Sequence, residues 1–388
     1  MRRKVVFPLK MNANYEYKFS KFGGKSHKGK NMRIAVVFGT RPEIIKLSLL
    51  IKYLTEDEEL ETYLIHSGQH YDYEMSSIFL KELNVPYPHC FLEVGSGTHN
   101  RQISQIMLKL ERFLKEDKIN HTVVLGDTNT TLAAALSAKN LRINVSHLEA
   151  GCRCYDDMMQ EEMNRRLVDH ISTYLFAPSE QCVKNLRKEG ITKNVYHFGN
   201  TLVDVLLSIK NRKTDIQKKL NLKRKKYAII TTHRAENVDN KKNLSDIIRI
   251  LKKFPINIVF PIHPRTQKNI RKFGIKIPEN IIMTKPLGYS DFINLLKESI
   301  LVLTDSGGVV EEAAILNVPC VTLRDRTEWV ETLKCGKNFL TGTNPEITLS
   351  LVNKIVNNKD FYNKIVNSDQ PFPFVNASKR IYDFLKSI

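Results

Sequence analysis

The sequence predicts an α/β protein built from two doubly wound halves that face each other across a cleft. Three observations carry this expectation. Short apolar runs alternate with helical patterns from Met32 onward, and the rhythm restarts after a charged stretch near residue 210. The chain has 388 residues, 42% of them hydrophobic, which is more than one ordinary core encloses. In order, "RIAVVFG", "TYLIHSG", "TVVLGD", "INVSHLEA", "TYLFAPS" and "NVYHFGN" read as strands, several too uniformly apolar to have a wet face. Between them "PEIIKLSLLIKYL", "NRQISQIMLKLERFLKE" and "TTLAAALSAKN" carry the helical period. After "KNRKTDIQKKLNLKRKK" come "YAIITTH", "INIVFPIH", "NIIMTKP", "ILVLTDS" and "PCVTL". Strand and helix in alternation imply parallel βαβ units, and the charged stretch marks the boundary between halves. Ligands of such sheets bind where the carboxyl ends of the strands converge.

Composition narrows the class of function. The formal net charge is +19, but residues 1–31 hold nine Lys or Arg against one Glu and contribute +8 of it. That tail contains "GGKSHKGKN" and has no periodicity, so it reads as a disordered basic tail or an over-extended start. Elsewhere basic residues share amphipathic helices with acids, and no aromatic-basic interleaving points to base stacking, so solvated surface is favoured over a nucleic-acid partner. No run approaches the roughly 18 apolar residues of a membrane span, and no apolar secretion signal opens the chain; a soluble cytoplasmic protein is expected. The six cysteines lack a CxxC pair and read as reduced thiols.

The chemistry sits at the strand ends. "FGTRPEIIK" turns into a helix with Arg41 and Lys46 near its N-terminus, a place suited to anions. "TDSGGVVEEA" repeats the arrangement: Ser306, Gly307 and Gly308 let a phosphate approach bare backbone, and Glu312 lies about one turn on, where a carboxylate can accept from a ribose diol. A nucleoside diphosphate fits that pairing; a capped helix with exposed acids fits equally well. Asp127 follows an apolar strand, Glu149 precedes Gly151, and "MQEEMNRR" places Glu161 and Arg165 at i,i+4. Each has a plainer reading: a helix cap for Asp127, a surface pair for Glu161 and Arg165, a satisfied core histidine for His147. The second half adds His233 and His263. None of these falls into a metal-ligand spacing, and carboxylates with a histidine suit proton abstraction and return. The absence of a GxGxxG turn argues against a dinucleotide.

Taken together, "FGTRPEIIKL", "SGQH", "LGDTNTTLAAALSA", "HLEAGCR", "EEMNRRLVDHIS", "GNTLVDVL", "THRAENVD", "HPRT" and "TDSGGVVEEAAILNVPCVTLR" resemble the non-hydrolysing UDP-N-acetylglucosamine 2-epimerases, in order, from about Met32 to the C-terminus. The resemblance implies a GT-B fold of two Rossmann-like domains closing on a UDP-sugar, a homodimer, and no metal or redox cofactor. It implies that UDP is eliminated to leave a 2-acetamidoglucal and is added back after inversion at C2, in the service of surface polysaccharide or glycan synthesis. Domains are expected at 32–205 and 206–370, with a linker region at 206–226 and a helix in 371–388 crossing back to the first domain.

By the same resemblance Asp127, Glu149, Glu161 and His233 carry proton transfer and sugar contacts. Arg41, Lys46, Ser306, Gly307, Gly308, Glu312 and Phe292 hold the UDP-sugar, with Phe292 beside the uracil. Gln69, His70 and His263 match a regulatory UDP-sugar site. Gln160 stands where the family often has Pro, and Trp329 and Val330 where it often reads "TERPE". Alternatives are a 2-epimerase of a modified UDP-hexosamine, a hydrolysing epimerase, a GT-B glycosyltransferase and a nucleic-acid binder. Which acid is the base stays unassigned.

Overall fold

The computed structural model describes residues 32–68 and 73–388. The basic tail 1–31 and the pair Gln69 and His70 lie outside the described residues. Seven parallel strands form the first sheet: β1 (Met32–Phe38), β2 (Leu60–His66), β3 (Cys90–Phe91), β4 (His121–Leu125), β5 (Asn144–Leu148), β6 (Tyr174–Ala177) and β7 (Val195–His197). They lie in the order β3-β2-β1-β4-β5-β6-β7. Six more make the second: β8 (Tyr227–Thr231), β9 (Asn257–Pro261), β10 (Ile281–Thr284), β11 (Leu301–Thr304), β12 (Cys320–Thr322) and β13 (Asn338–Leu340). Their order is β10-β9-β8-β11-β12-β13, again parallel.

The strands read from the sequence recur within three residues at each end, whereas β3 and β13 were not anticipated. Both are edge strands of two or three residues, too short to show any period. Central strands are covered on both faces; β4, "HTVVL", is buried throughout, which is why it lacks the alternation of a half-wet strand.

Each sheet reverses direction once, between β1 and β4 in the first and between β8 and β11 in the second. At such a point adjacent helices leave on opposite faces and open a crevice beyond the strand ends. Ile44 and Leu47 of the helix Arg41–Glu56 share one buried apolar cluster with Tyr289, Ile293, Val310 and Trp329 of the second half. The two sheets are therefore joined by continuous packing that holds their switch points in register.

The helix Ala377–Ser387 follows the second sheet in sequence and packs on the first. Its Phe384 ring meets Tyr174, Phe176 and Tyr196 at 5.2, 5.4 and 4.5 Å, and Tyr382 donates to Asp57 at 2.7 Å. The start of the helix is fixed from outside: Asp204 accepts from the amides of Asn376 and Ser378 at 2.6 and 2.7 Å. No helix among the described residues is long and apolar enough to cross a membrane.

Candidate active site

The first sheet's switch point is held by a buried carboxylate. Glu43 Oε2 accepts from the amides of Gly39 and Thr40 at 2.9 and 2.7 Å, while Oε1 accepts from the hydroxyls of Thr128 and Thr131 at 2.9 and 3.2 Å. The turn after β1 is thus tied to the turn after β4. Gly39 is required there, because a Cβ would lie 2.0 Å from Ser67 Oγ.

Beyond β4, Thr128 caps the helix Asn129–Asn140 by accepting from the Thr131 amide. Asp127 is therefore not the cap, and its carboxylate pairs with Arg165. Arg165 also holds Glu162 at 2.6 Å and is buried. Burial opposes its charge, but Asp127, Glu328 and Glu162 keep its pKa above the usual range. The Glu161–Arg165 surface pair that the spacing allows does not form, since the guanidinium turns inward to those acids. Glu161 stands half-buried in the first turn of the helix Gln160–Ile171.

After β5, Glu149 and Gly151 both adopt positive φ, 67° and 83°. A left-handed glutamate is a strained backbone of the kind concentrated at functional sites. His147, just before it, is fully buried between Asp169 Oδ1 and the Gly126 carbonyl, each at 2.8 Å, and Asp169 Oδ2 accepts from the Gly151 amide at 3.1 Å. The plainer reading of His147 thus holds, and it also links the Asp127 turn to the Glu149 turn.

Lys46 reaches these acids from the helix Arg41–Glu56. Its ammonium pairs with Glu149 and, at 2.6 Å, with Glu311 of the helix Gly307–Ile315. It lies 5.1 Å from the Trp329 ring centroid. Burial opposes the Lys46 charge, but Glu149 and Glu311 outweigh it and raise its pKa. One ammonium cannot balance two buried carboxylates, and burial together with the neighbouring Glu149 pushes Glu311 well above the carboxylate range despite Lys46. Lys46 is therefore committed to carboxylates rather than left free for a phosphate.

The second switch point is organised by Asp305. This fully buried carboxylate accepts from Thr232 Oγ1 at 2.6 Å and from the His233 amide, the Arg234 amide and Asn237 Nδ2, each at 3.1 Å. The loop after β8 is so fastened to the end of β11, and the His233 side chain, 42% exposed, stands in the cleft. Loss of water around the ring lowers its pKa, helped by Arg234, Arg41 and Arg265 and opposed by Asp305. The His263 ring lies beside it, with centroids 5.4 Å apart and the planes tilted by 35°.

Ser306 precedes the helix Gly307–Ile315 without capping it through its side chain. At Gly307 a Cβ would fall 2.1 Å from Glu328 Oε1, whereas Gly308 is open. Glu312 is buried, and burial raises its pKa to about 7 against the pull of Tyr289 and Lys46. Phe292 is half-buried against the cluster shared by both halves, and Arg41 lies 5.6 Å from the Phe79 ring centroid. Glu328 receives Arg324 at 3.0 Å; burial works against its charge, but Arg324, Arg234 and Arg165 hold its carboxyl well below the usual range.

Lys46 thus links Glu149 to the helix that Ser306 precedes, and the His233 amide is tied to Asp305, the residue before Ser306. Sequence reasoning missed Asp305, Glu311, Glu328 and Asn200. For Glu311 the signal was the double Glu in "VVEEA", whose adjacent side chains point about 100° apart on a helix. No group of three or more His, Cys, Asp or Glu among the described residues is placed to hold a metal ion.

Residues 52–386 match the family model described as UDP-N-acetylglucosamine 2-epimerase. The chain belongs to the UDP-N-acetylglucosamine 2-epimerase family. Within this family it is 44% identical over 342 residues to the UDP-N-acetylglucosamine 2-epimerase of Methanocaldococcus jannaschii, covering 84% of this chain and 93% of that one. It is 39% identical to the UDP-2,3-diacetamido-2,3-dideoxy-D-glucuronate 2-epimerase of Pseudomonas aeruginosa, over 80% of this chain and 88% of the other. The crystal structure of the M. jannaschii enzyme in complex with UDP-GlcNAc and UDP superposes with a TM-score of 0.85 at 42% identity, covering 92% of this chain and all of that one. The two-domain α/β architecture is accordingly that of the family's GT-B fold.

Proposed function

We propose that the protein interconverts UDP-N-acetylglucosamine and UDP-N-acetylmannosamine without hydrolysis. The observation that carries this reading is the Lys46 ammonium joined to Glu149 on one side and, on the other, to Glu311 of the helix that Ser306 precedes. An acid-base set beside an anion-binding helix start suits elimination of a diphosphate.

The C2 proton of the sugar has no neighbouring carbonyl to stabilise a carbanion, so its removal must accompany departure of UDP. The C1–O electron pair leaves with the diphosphate, eased by Arg41 and the first-turn amides of Gly307 and Gly308. A carboxylate takes the C2 proton, and a C1–C2 double bond completes the 2-acetamidoglucal. Return of a proton to the opposite face of C2 and re-formation of the C1–O bond give the epimer. Asp127, Glu149 and Glu161 share the proton transfers, and His233 assists the leaving group. Lys46 acts by holding the Glu149 carboxylate in place, where the resemblance implied a contact with the UDP-sugar. Glu312 accepts from the ribose diol and Phe292 lies beside the uracil.

The scheme is redox-neutral. We place the enzyme in the cytoplasm as a homodimer, with domains at 32–205 and 206–370, supplying a surface glycan. The 39% identity to a diacetamido-glucuronate epimerase supports a second reading, epimerisation of a modified UDP-hexosamine by the same site.

Incubation with UDP-N-acetylglucosamine alone, followed by NMR, tests the proposal. A second UDP-sugar without acceptor supports it. Free N-acetylmannosamine with UDP would indicate the hydrolysing reaction, and no turnover would reject this substrate.

A further inference from the structure

Glu311 has a place that the scheme above leaves unused. Its side chain is fully buried, and both oxygens are taken by groups that precede the second sheet in the chain: Lys46 at 2.6 Å on Oε2 and Asn200 Nδ2 at 2.8 Å on Oε1. Yet Glu311 belongs to the helix that starts at the candidate diphosphate turn and carries the candidate ribose ligand one residue later. A buried ionic cluster is weak evidence for stability, because well-packed apolar residues serve a seam between halves at least as well. Its arrangement points to another use. Lys46 bridges Glu149, at the end of β5, and Glu311, so where the ammonium stands against Glu149 depends on where Glu311 sits.

We propose that Glu311 is a positioning residue that holds the Lys46 ammonium against Glu149 and so ties that pair to the seating of the nucleotide-binding helix. The proposal rests on the function argued above. A helix is stiff over two turns, so a ligand that settles Ser306 to Gly308 also settles Glu311 against Lys46. The other titratable groups facing this cluster are Glu312 and Tyr289 from the second half, Cys152 beside Glu149, and Glu331 beyond it. None of them pairs with the Lys46 ammonium, so none replaces Glu311 in holding it.

The test is steady-state epimerisation by the wild type, Glu311→Leu and Glu311→Gln, with UDP affinity measured by calorimetry. Leu matches the size of Glu311 and leaves Lys46 without its second acceptor, so kcat should fall about tenfold or more while UDP affinity stays within about threefold. Gln, which keeps an oxygen that can accept from Lys46, should recover part of that loss. A wild-type kcat in folded Glu311→Leu, or an equal loss in both variants, would overturn the proposal. If Glu311→Leu does not fold, a wild-type kcat in Glu311→Asp, whose shorter side chain draws back from Lys46, would overturn it. Wild-type protein that does not epimerise the UDP-sugar would instead sink the function itself.

Discussion

The two switch points have the same topology and different fastenings. Beyond β4 and β5 the acids are ion-paired, Asp127 with Arg165 and Glu149 with Lys46. Beyond β8 and β11 the loop is fastened by the hydrogen-bonded hub Asp305, with Glu312 buried nearby and its pKa raised to about 7. On the function proposed above, a repeated fold divides the work: most of the proton transfer falls to the first half, and most of the nucleotide contacts fall to the second.

Breaking the first half should have the largest effect. Asp127→Asn and Glu161→Gln should each lower kcat by at least about a hundredfold while UDP affinity is largely kept, as expected for a lost acid or base. Steady-state rates with calorimetric UDP binding check this; a variant that loses affinity and keeps kcat would reverse the division.

The second half should respond in the opposite way. Glu312→Ala should weaken UDP binding by about 1–3 kcal/mol, the scale of a lost charge-assisted hydrogen bond. Because the Glu312 carboxyl is raised to about 7, it is protonated below that pH and a poor acceptor for a diol. Wild-type UDP affinity should therefore fall as pH drops below about 7, and the Ala variant should lose that dependence. Calorimetry across pH 5.5 to 8.5 decides it.

A third effect separates site from scaffold. His121 opens β4, is buried, and donates to or accepts from Ser146 Oγ at 2.8 Å; burial lowers its pKa to about 4. The unfolded chain takes up that proton first, near the ordinary pKa of about 6.5. The stability contribution is thus present above pH 6.5 and is lost as pH falls toward 4, amounting to about 2 kcal/mol by pH 5. Melting curves of His121→Gln should show a flatter acid limb than the wild type; equal slopes would remove His121 as the cause.

The smallest effect is expected from the tail. Deletion of residues 1–31, which lack an apolar period, should leave kcat and melting temperature nearly unchanged. A large loss of either would make the tail part of the working protein.

Legibility in the sequence followed the same divide. The parallel strands showed because burial on both faces makes them uniformly apolar, as in "HTVVL", and the Gly-rich turns showed because backbone approach requires small residues. The edge strands β3 and β13 were too short for any period to register. Pairing partners were the least legible. Lys46 sits beside a helix start in sequence, and only the fold brings Glu149 and Glu311 to it from 103 and 265 residues away. Arg165 could pair with Glu161 by spacing, yet packing turns it to Glu162 and Asp127. Asp305 is the single acid of "TDSGG", and its hub role depends on the loop after β8 arriving beside it.

Solvent exchange at C2 tests the division of labour most directly. Incubated with UDP-N-acetylglucosamine in D₂O, the wild type should give UDP-N-acetylmannosamine with deuterium at C2 and its N-acetyl group intact. Glu312→Ala should do the same when saturated with substrate, while Asp127→Asn and Glu161→Gln should bind UDP and exchange at least about a hundredfold more slowly. Protium retained at C2 of the product, or an Asp127→Asn variant that exchanges at the wild-type rate, would contradict the account.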